Sequence, residues 1–123
     1  MQLATARACL EALAARGTEP DLRGVSGIWE LDLTDAPEKE RTWSIRVDDG
    51  RLAVTAAAAP GGPDARIHMR EADLVRLATG QDRENIVTCV LRGAVTVEGD
   101  LRFAQRLQAI LPIRAELAGR NAR

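Results

Sequence analysis

Hydrophobic residues near the start of the chain recur with a helical period. Over residues 3–16 the apolar positions lie three or four residues apart, and Gly17 follows the last of them. Apolar positions with this spacing fall on one face of a helix, and a glycine commonly follows the last turn. The pattern predicts an amphipathic helix that packs its apolar face against the rest of the protein.

The middle of the chain alternates between apolar and polar residues. The segments 28–33, 43–47, 52–58 and 65–70 show this period, and Asp48-Asp49-Gly50 is a strong turn signal between two of them. Alternation places apolar side chains on one face of a β-strand and polar side chains on the other. The segments predict a sheet with a buried face and a solvent-exposed face, the latter carrying Glu30, Asp32, Ser44, Arg46, Arg66 and Arg70.

After residue 70 the period becomes helical again. Residues 74–78 predict a short helix that ends at Gly80, and residues 86–91 predict another that ends at Gly93. Both helices are expected to pack on the sheet.

The last part of the chain predicts one more strand and two helices. Val95 and Val97 mark the fifth strand, and Asp100 is placed to cap the N-terminus of a helix over 101–111. A final short helix is predicted over 113–117. The whole order of elements predicts an α+β fold, in which a five-stranded, mostly antiparallel sheet carries helices on one face.

Length and composition narrow the class of protein. The 123 residues suit one domain, over 1–123, and the net charge of −1 comes without a basic block that would indicate nucleic-acid binding. No apolar run reaches the ~20 residues of a membrane span, and the N-terminus does not have the pattern of a secretory signal. We expect a soluble, cytoplasmic protein without stable membrane insertion, and its arginine and alanine content is typical of a bacterial source.

Few residues carry the chemistry of a catalytic or metal site. His68 is the only histidine, and alternation places it on the solvent-exposed face of the sheet. Cys9 and Cys89 fall in helices without a CxxC pattern, so both are expected to be buried thiols. The sequence predicts no catalytic residue, no metal site and no cofactor; Cys89 and Asp100 are the only weak candidates for a catalytic role.

An ordered set of short motifs resembles the sterol-carrier-protein-2-like (sterol transfer) family over about residues 8–112. The matching positions are Gly27-Ile28-Trp29, the strand 43–47, Asp49-Gly50, Asp73-Leu74, Leu77, Gly80, Gly93, Gly99-Asp100, Ala104 and Leu107. The resemblance implies a sheet covered by helices, with an apolar tunnel between the two layers. Members of the family bind sterols, fatty acids or fatty acyl-CoA. Here Ala94 replaces a frequent lysine and Val87 a usual phenylalanine, which disfavours fatty acyl-CoA.

The resemblance predicts a small intracellular carrier for an apolar ligand, namely a fatty acyl, isoprenoid, sterol-like or polyketide molecule. The strands would form the floor of the tunnel, the helices over 86–91 and 101–111 its roof, and 113–117 a lid. The residues expected to bind the ligand are Leu31, Leu33, Trp43, Ile45, Val54, Ala56, Ile86, Val90, Phe103, Leu107, Ile110, Leu111, Ile113 and Leu117.

Two alternatives stay open at this point. The same pocket could belong to an accessory or catalytic protein that acts on a hydrophobic biosynthetic intermediate, with a biosynthetic enzyme as its partner. Alternatively, the domain could be a ligand-free interaction module with a solid core, for example a homodimer. The first alternative requires a polar group that faces the pocket, and the second requires a large exposed apolar patch.

Overall fold

A computed structural model describes residues 5–80 and 85–111 of the chain. The α-helices are α1 (Ala6–Arg16), α2 (Glu71–Thr79), α3 (Ile86–Leu91) and α4 (Leu101–Arg106). The strands are β1 (Ser26–Leu33), β2 (Thr42–Asp48), β3 (Arg51–Thr55), β4 (Ala65–Met69) and β5 (Thr96–Gly99). Short 3₁₀ turns lie at Pro20–Leu22, Glu38–Glu40 and Leu107–Ala109.

The strands form a five-stranded mixed sheet in the order β3-β2-β1-β4-β5. Only the central pair β1–β4 is parallel among the described strands, and the other three pairings are antiparallel. In this register Leu31 lies opposite Trp43 on one side and Ile67 on the other. These side chains share the buried face, so the predicted α+β fold with a mostly antiparallel sheet is confirmed.

The turn between β2 and β3 follows the sequence signal. Asp49 has a φ of 51° and Gly50 a φ of 84°. Positive φ at both central residues is the requirement of a type I′ hairpin turn, and asparagine, aspartate and glycine adopt it at least cost. A side chain at Gly50 would also come within 2.9 Å of the Glu19 carbonyl oxygen.

The helices cover one face of the sheet through a core of aliphatic side chains around a single aromatic pair. Trp29 is fully buried and stacks on Phe103 with ring centroids 4.5 Å apart. The Trp29 indole N–H donates to the Phe103 carbonyl oxygen at 2.6 Å. Stacking of this kind adds roughly 1 kcal/mol beyond the burial of area. The pair fixes α4 on β1.

The two cysteines are buried, and α4 begins where the sequence predicts. Cys9 and Cys89 are buried thiols in α1 and α3. The Asp100 carboxylate accepts a hydrogen bond from the Phe103 N–H at 3.0 Å and so caps α4. The α-helix predicted over 101–111 ends at Arg106, however, and the chain continues as the 3₁₀ turn. The helix predicted over 113–117 lies outside the described residues.

Two details of the predicted strands are wrong. The third strand ends at Thr55, so Ala56 is exposed beyond it rather than turned toward the core. The chain after Thr55 folds over the outer face of the sheet, which therefore does not face solvent throughout. The Ser44 hydroxyl donates to the Ala57 carbonyl, and Glu30 accepts from the Ala59 N–H at 3.3 Å.

Glu30 can be buried because the Arg66 guanidinium pairs with its charge. The Arg66 guanidinium donates to the Glu30 carboxylate at 2.7 Å, and only 6% of Glu30 is exposed. A buried carboxylate is tolerated when it is paired and hydrogen-bonded. Alternation in the sequence predicts which face a side chain occupies, but it does not predict that a loop covers this face.

His68 is half-buried on the same outer face, where it joins three strands. Its Nδ1 lies 2.8 Å from an Asp32 carboxylate oxygen on β1, and its Nε2 contacts the Glu98 carboxylate on β5. An ionised carboxylate only accepts hydrogen bonds, so both ring nitrogens donate when the imidazole is protonated. The hydrogen bond to Asp32 is the main cause that raises the pKa of His68, partial burial opposes it, and Glu98 adds to the rise.

We expect this cluster to make the stability of the protein depend on pH. Because the folded state raises the pKa of His68 above the unfolded value of about 6.5, its contribution is complete below about pH 6.5. The contribution is lost as the pH rises through the folded pKa. Urea unfolding of the wild type should show this loss, and His68→Gln should show a flatter profile over the same range. Parallel profiles for the two proteins would contradict it.

Candidate functional site

An apolar groove lies between α3 and α4, over the edge strand β5. Its volume is about 150 Å³, and its lining residues are Ile86, Val87, Val90, Leu91, Val97, Leu101, Ala104 and Gln105. Val97 pairs with Ile67 in the sheet and therefore lies on the helix-covered face. The groove is thus a lateral extension of the core that opens to the surface at β5.

The local sequence explains why α3 lines both the core and the groove. Ile86 and Cys89 are buried, whereas Val87, Val90 and Leu91 occupy another side of the same six-residue helix. A helix that is apolar on more than one side has a second apolar environment to satisfy. Here that second environment is the groove, since those three residues line it.

The groove leaves large apolar side chains in contact with water. Leu91 is 82% exposed, Leu101 63%, Val87 47% and Val90 41%, and these are the exposed large hydrophobic residues of the described chain. All four line the same groove. Contiguous exposed apolar surface is typical of ligand-binding or protein-binding sites, whereas single exposed residues are ordinary.

The groove has almost no polar lining. Gln105 is its one polar side chain among the described residues, and no ionisable group lines it there. The two weak catalytic candidates lie elsewhere, because Cys89 is buried on the core side of α3 and Asp100 caps α4. In residues 5–80 and 85–111 no cluster of three or more histidine, cysteine or acidic side chains could hold a metal ion.

In the part of the chain that the structure describes, the space between the sheet and the helices, where the resemblance implies a tunnel, is nearly filled around Leu31, Ile45 and Leu107. A void of about 10 Å³ lies there, and Leu31, Ile45, Leu107 and Leu111 are among its lining residues. That volume holds at most one water molecule. Between these described residues the layers therefore close on each other, and the larger apolar space lies to one side of them.

Two of the predicted ligand-binding residues line the groove, and most of the others belong to the filled core. Ile86 and Val90 line the groove. Val54 is half-buried at the far edge of the sheet, and Ala56 is exposed. Ile113 and Leu117 lie outside the described residues. The others are core residues with at most 7% exposure, namely Leu31, Leu33, Trp43, Ile45, Phe103, Leu107, Ile110 and Leu111. Introducing a charge at Phe103 or Leu107 would therefore test folding rather than ligand uptake.

Sequence reasoning missed most of the groove lining. The omitted residues are Val87, Leu91, Val97, Leu101, Ala104 and Gln105. One signal could have found some of them: residues 86–91 contain four large aliphatic side chains, more than one buried helix face of this length needs. Leu101 gave no such signal, because a leucine in the first turn of an amphipathic helix is usually counted with its core.

A second, wider depression lies at the other end of β5, and it is polar. Its volume is about 440 Å³, and it is lined by Thr34, His68, Met69, Arg70, Arg92, Gly93, Ala94 and Thr96. Ala94, the residue that replaces a frequent lysine, lies here. Acidic side chains balance its cations, since Asp32 and Glu98 contact His68 and Asp73 lies 3.7 Å from Arg70. The depression therefore resembles an ion-paired surface more than an anion site.

Together these features define an α+β protein with an apolar groove at the edge of its sheet and no helix in the described residues long and apolar enough to cross a membrane. The model of the SCP-2 sterol transfer family matches residues 9–112. The chain belongs to that family. The resemblance found in the sequence motifs is thereby confirmed. No curated protein matches the chain at a significant level.

Solved structures share the fold at low sequence identity. The sec-alkylsulfatase Pisa1 from Pseudomonas sp. matches with a TM-score of 0.64 and 16% identity, over 80% of this chain but 15% of the sulfatase. Palmitated SCP2L2 from Aedes aegypti matches with a TM-score of 0.58 and 18% identity, over 81% of this chain and 87% of that one. UbiJ-SCP2, a ubiquinone synthesis protein, has a TM-score of 0.58 and 16% identity, over 81% and 79%.

Proposed function

We propose that this protein is a small intracellular carrier that binds an apolar ligand in the groove between α3, β5 and α4. The observation that carries the proposal is the convergence of four exposed aliphatic side chains on a single apolar groove. Membership of a sterol transfer family supports lipid binding as the function of the groove. The ligand class that we propose includes fatty acyl, isoprenoid, sterol-like and polyketide molecules.

The size of the groove limits how the ligand binds. A cavity of about 150 Å³ holds an apolar group of the size of benzene. At ~0.8 kcal/mol per buried methylene, a group of about six carbons gains roughly 5 kcal/mol, which association costs largely offset. A ligand that binds with micromolar affinity must therefore extend out of the groove along the exposed faces of Leu91 and Leu101.

Titration with neutral lipids followed by native mass spectrometry tests the proposal. We expect a one-to-one complex, with an affinity that rises with alkyl chain length, because each added methylene covers more apolar surface. Extraction of lipid from the protein purified out of its native host identifies the physiological ligand. A protein that takes up no neutral lipid of any chain length, while fully folded, would refute the carrier function.

The exposed apolar patch of Val87, Val90, Leu91 and Leu101 also favours a second function, that of an interaction module. If the patch binds another copy of the chain, Leu91 and Leu101 would be buried in a homodimer without any ligand. Light scattering separates the two functions, because the carrier is expected to bind lipid as a monomer. A dimer that dissociates when the patch carries a charge would favour the interaction module.

The third function, in which the protein serves a biosynthetic enzyme, draws support from the description of UbiJ-SCP2 as a ubiquinone synthesis protein. At 16% identity this likeness extends to the fold alone. We propose such an enzyme only as the recipient of the carried ligand, because a carrier with an open groove can present its ligand to an enzyme. Co-purification from the native host would identify such an enzyme.

A further inference from the structure

Two glutamines near the groove differ in how their amides are used. Gln108 is engaged at both ends: its Oε1 accepts from the Ile86 N–H at 2.7 Å, and its Nε2 donates to the Leu111 carbonyl at 2.8 Å. It ties the start of α3 to the end of the 3₁₀ turn. Gln105, three residues earlier, is exposed, and its side-chain amide makes no hydrogen bond to any residue in 5–80 or 85–111.

Gln105 occupies the groove side of α4. It lies four residues after Leu101 and next to Ala104, and side chains four residues apart share one face of a helix. An amide offers both a carbonyl acceptor and two N–H donors, without net charge. The groove thus presents seven apolar side chains and a single uncharged group that can donate and accept hydrogen bonds.

We propose that Gln105 determines ligand specificity, so that the groove prefers an apolar molecule with one uncharged hydrogen-bonding group, such as a hydroxyl or a carbonyl. This inference rests on the proposed function and names the ligand class for the same groove. The apolar part of the ligand contacts α3 and Val97, and its polar group forms a hydrogen bond with the Gln105 amide.

The lining disfavours an anionic group at the same position. A carboxylate that leaves water needs a cation or several donors to offset its desolvation. Arg102 and Arg106 lie on α4, but neither lines the groove. A neutral hydroxyl or carbonyl needs only one partner, and Gln105 is that partner. Because Gln105 is exposed and water competes with the ligand for its amide, the net preference is expected to be modest, about two- to tenfold in affinity.

Three probes with ten carbons each test the preference: decanol, chlorodecane and decanoate. Each displaces Nile red, a neutral fluorescent dye, from the wild type and from two variants, Gln105→Met and Gln105→Glu. Methionine has nearly the length of glutamine without its amide, and glutamate keeps the shape but adds a charge. All substitutions are at an exposed position, and circular dichroism confirms that each variant is folded.

In the wild type we expect decanol to bind about two- to tenfold more tightly than chlorodecane. Gln105→Met should abolish this preference by weakening decanol relative to chlorodecane, and Gln105→Glu should weaken decanoate most of all. A preference that persists in Gln105→Met, or decanoate binding more tightly than decanol in the wild type, would overturn the inference although the carrier function stands. If chlorodecane and decanol both fail to displace the dye, the carrier function itself falls.

Discussion

Replacing Leu101 with aspartate is expected to weaken binding of neutral lipid about 100-fold. Leu101 lines the groove and is 63% exposed. A carboxylate beside an apolar ligand loses part of its hydration without a partner, at a cost of about 3 kcal/mol, which corresponds to roughly 100-fold in affinity. Titration of Leu101→Asp with decanol, by the dye-displacement assay, measures the loss.

The same substitution should leave the fold intact. Leu101 is the first residue of α4, where a negative charge is favourable near the positive end of the helix dipole. Ala72→Asp is the matched control, because Ala72 is exposed in the first turn of α2 and does not line the groove. Full lipid binding by Leu101→Asp, or an equal loss in Ala72→Asp, would show that the ligand binds elsewhere.

Replacing Gly99 with alanine is expected to destabilise the protein by about 3 kcal/mol. Gly99 has a φ of 95°, and a Cβ atom there would lie 2.6 Å from the Asp64 carbonyl oxygen and 3.2 Å from the Ala65 Cα. Both contacts are with backbone that β4 and β5 hold in place, since Ala65 pairs with Gly99 and the Asp100 N–H donates to the Asp64 carbonyl. The clash can be relieved only by moving β5.

Gly62→Ala separates the clash from the backbone strain. Gly62 has a φ of 85°, close to that of Gly99, but a Cβ atom there would meet nothing within 4 Å. It should cost only the strain of a positive φ, about 1 kcal/mol. Urea unfolding of both variants measures the difference. Equal destabilisation would mean that β5 does not approach Asp64 as closely as described.

Much of the fold could be predicted because its signals are local. The type I′ turn at Asp49-Gly50 and the cap of α4 by Asp100 each depend on a few adjacent residues with a special conformation or hydrogen-bonding capacity. The alternating segments likewise identify which side chains of each strand share a face, as the pairing of Leu31 with Trp43 and Ile67 confirms.

The candidate site was harder to predict, because it depends on how separate elements meet. Aliphatic composition suggested gaps between the layers, but among the described residues the void that Ile45 and Leu107 line is only about 10 Å³. Ala56 suggested space on an inward strand face, and the strand ends one residue before it. The groove forms where α3 and α4 both lie over the edge strand, and no local pattern encodes that meeting of separate elements.

Nuclear magnetic resonance contacts between bound decanol and the protein methyl groups test the central claim most directly. We predict contacts from the decanol chain to the methyl groups of Val90, Leu91, Val97 and Leu101, which surround the groove. Leu31 and Ile45, which lie between the sheet and the helices, should show none. Contacts to Leu31 and Ile45 without contacts to Leu91 and Leu101 would contradict the account, since the ligand would then open the layers of the core.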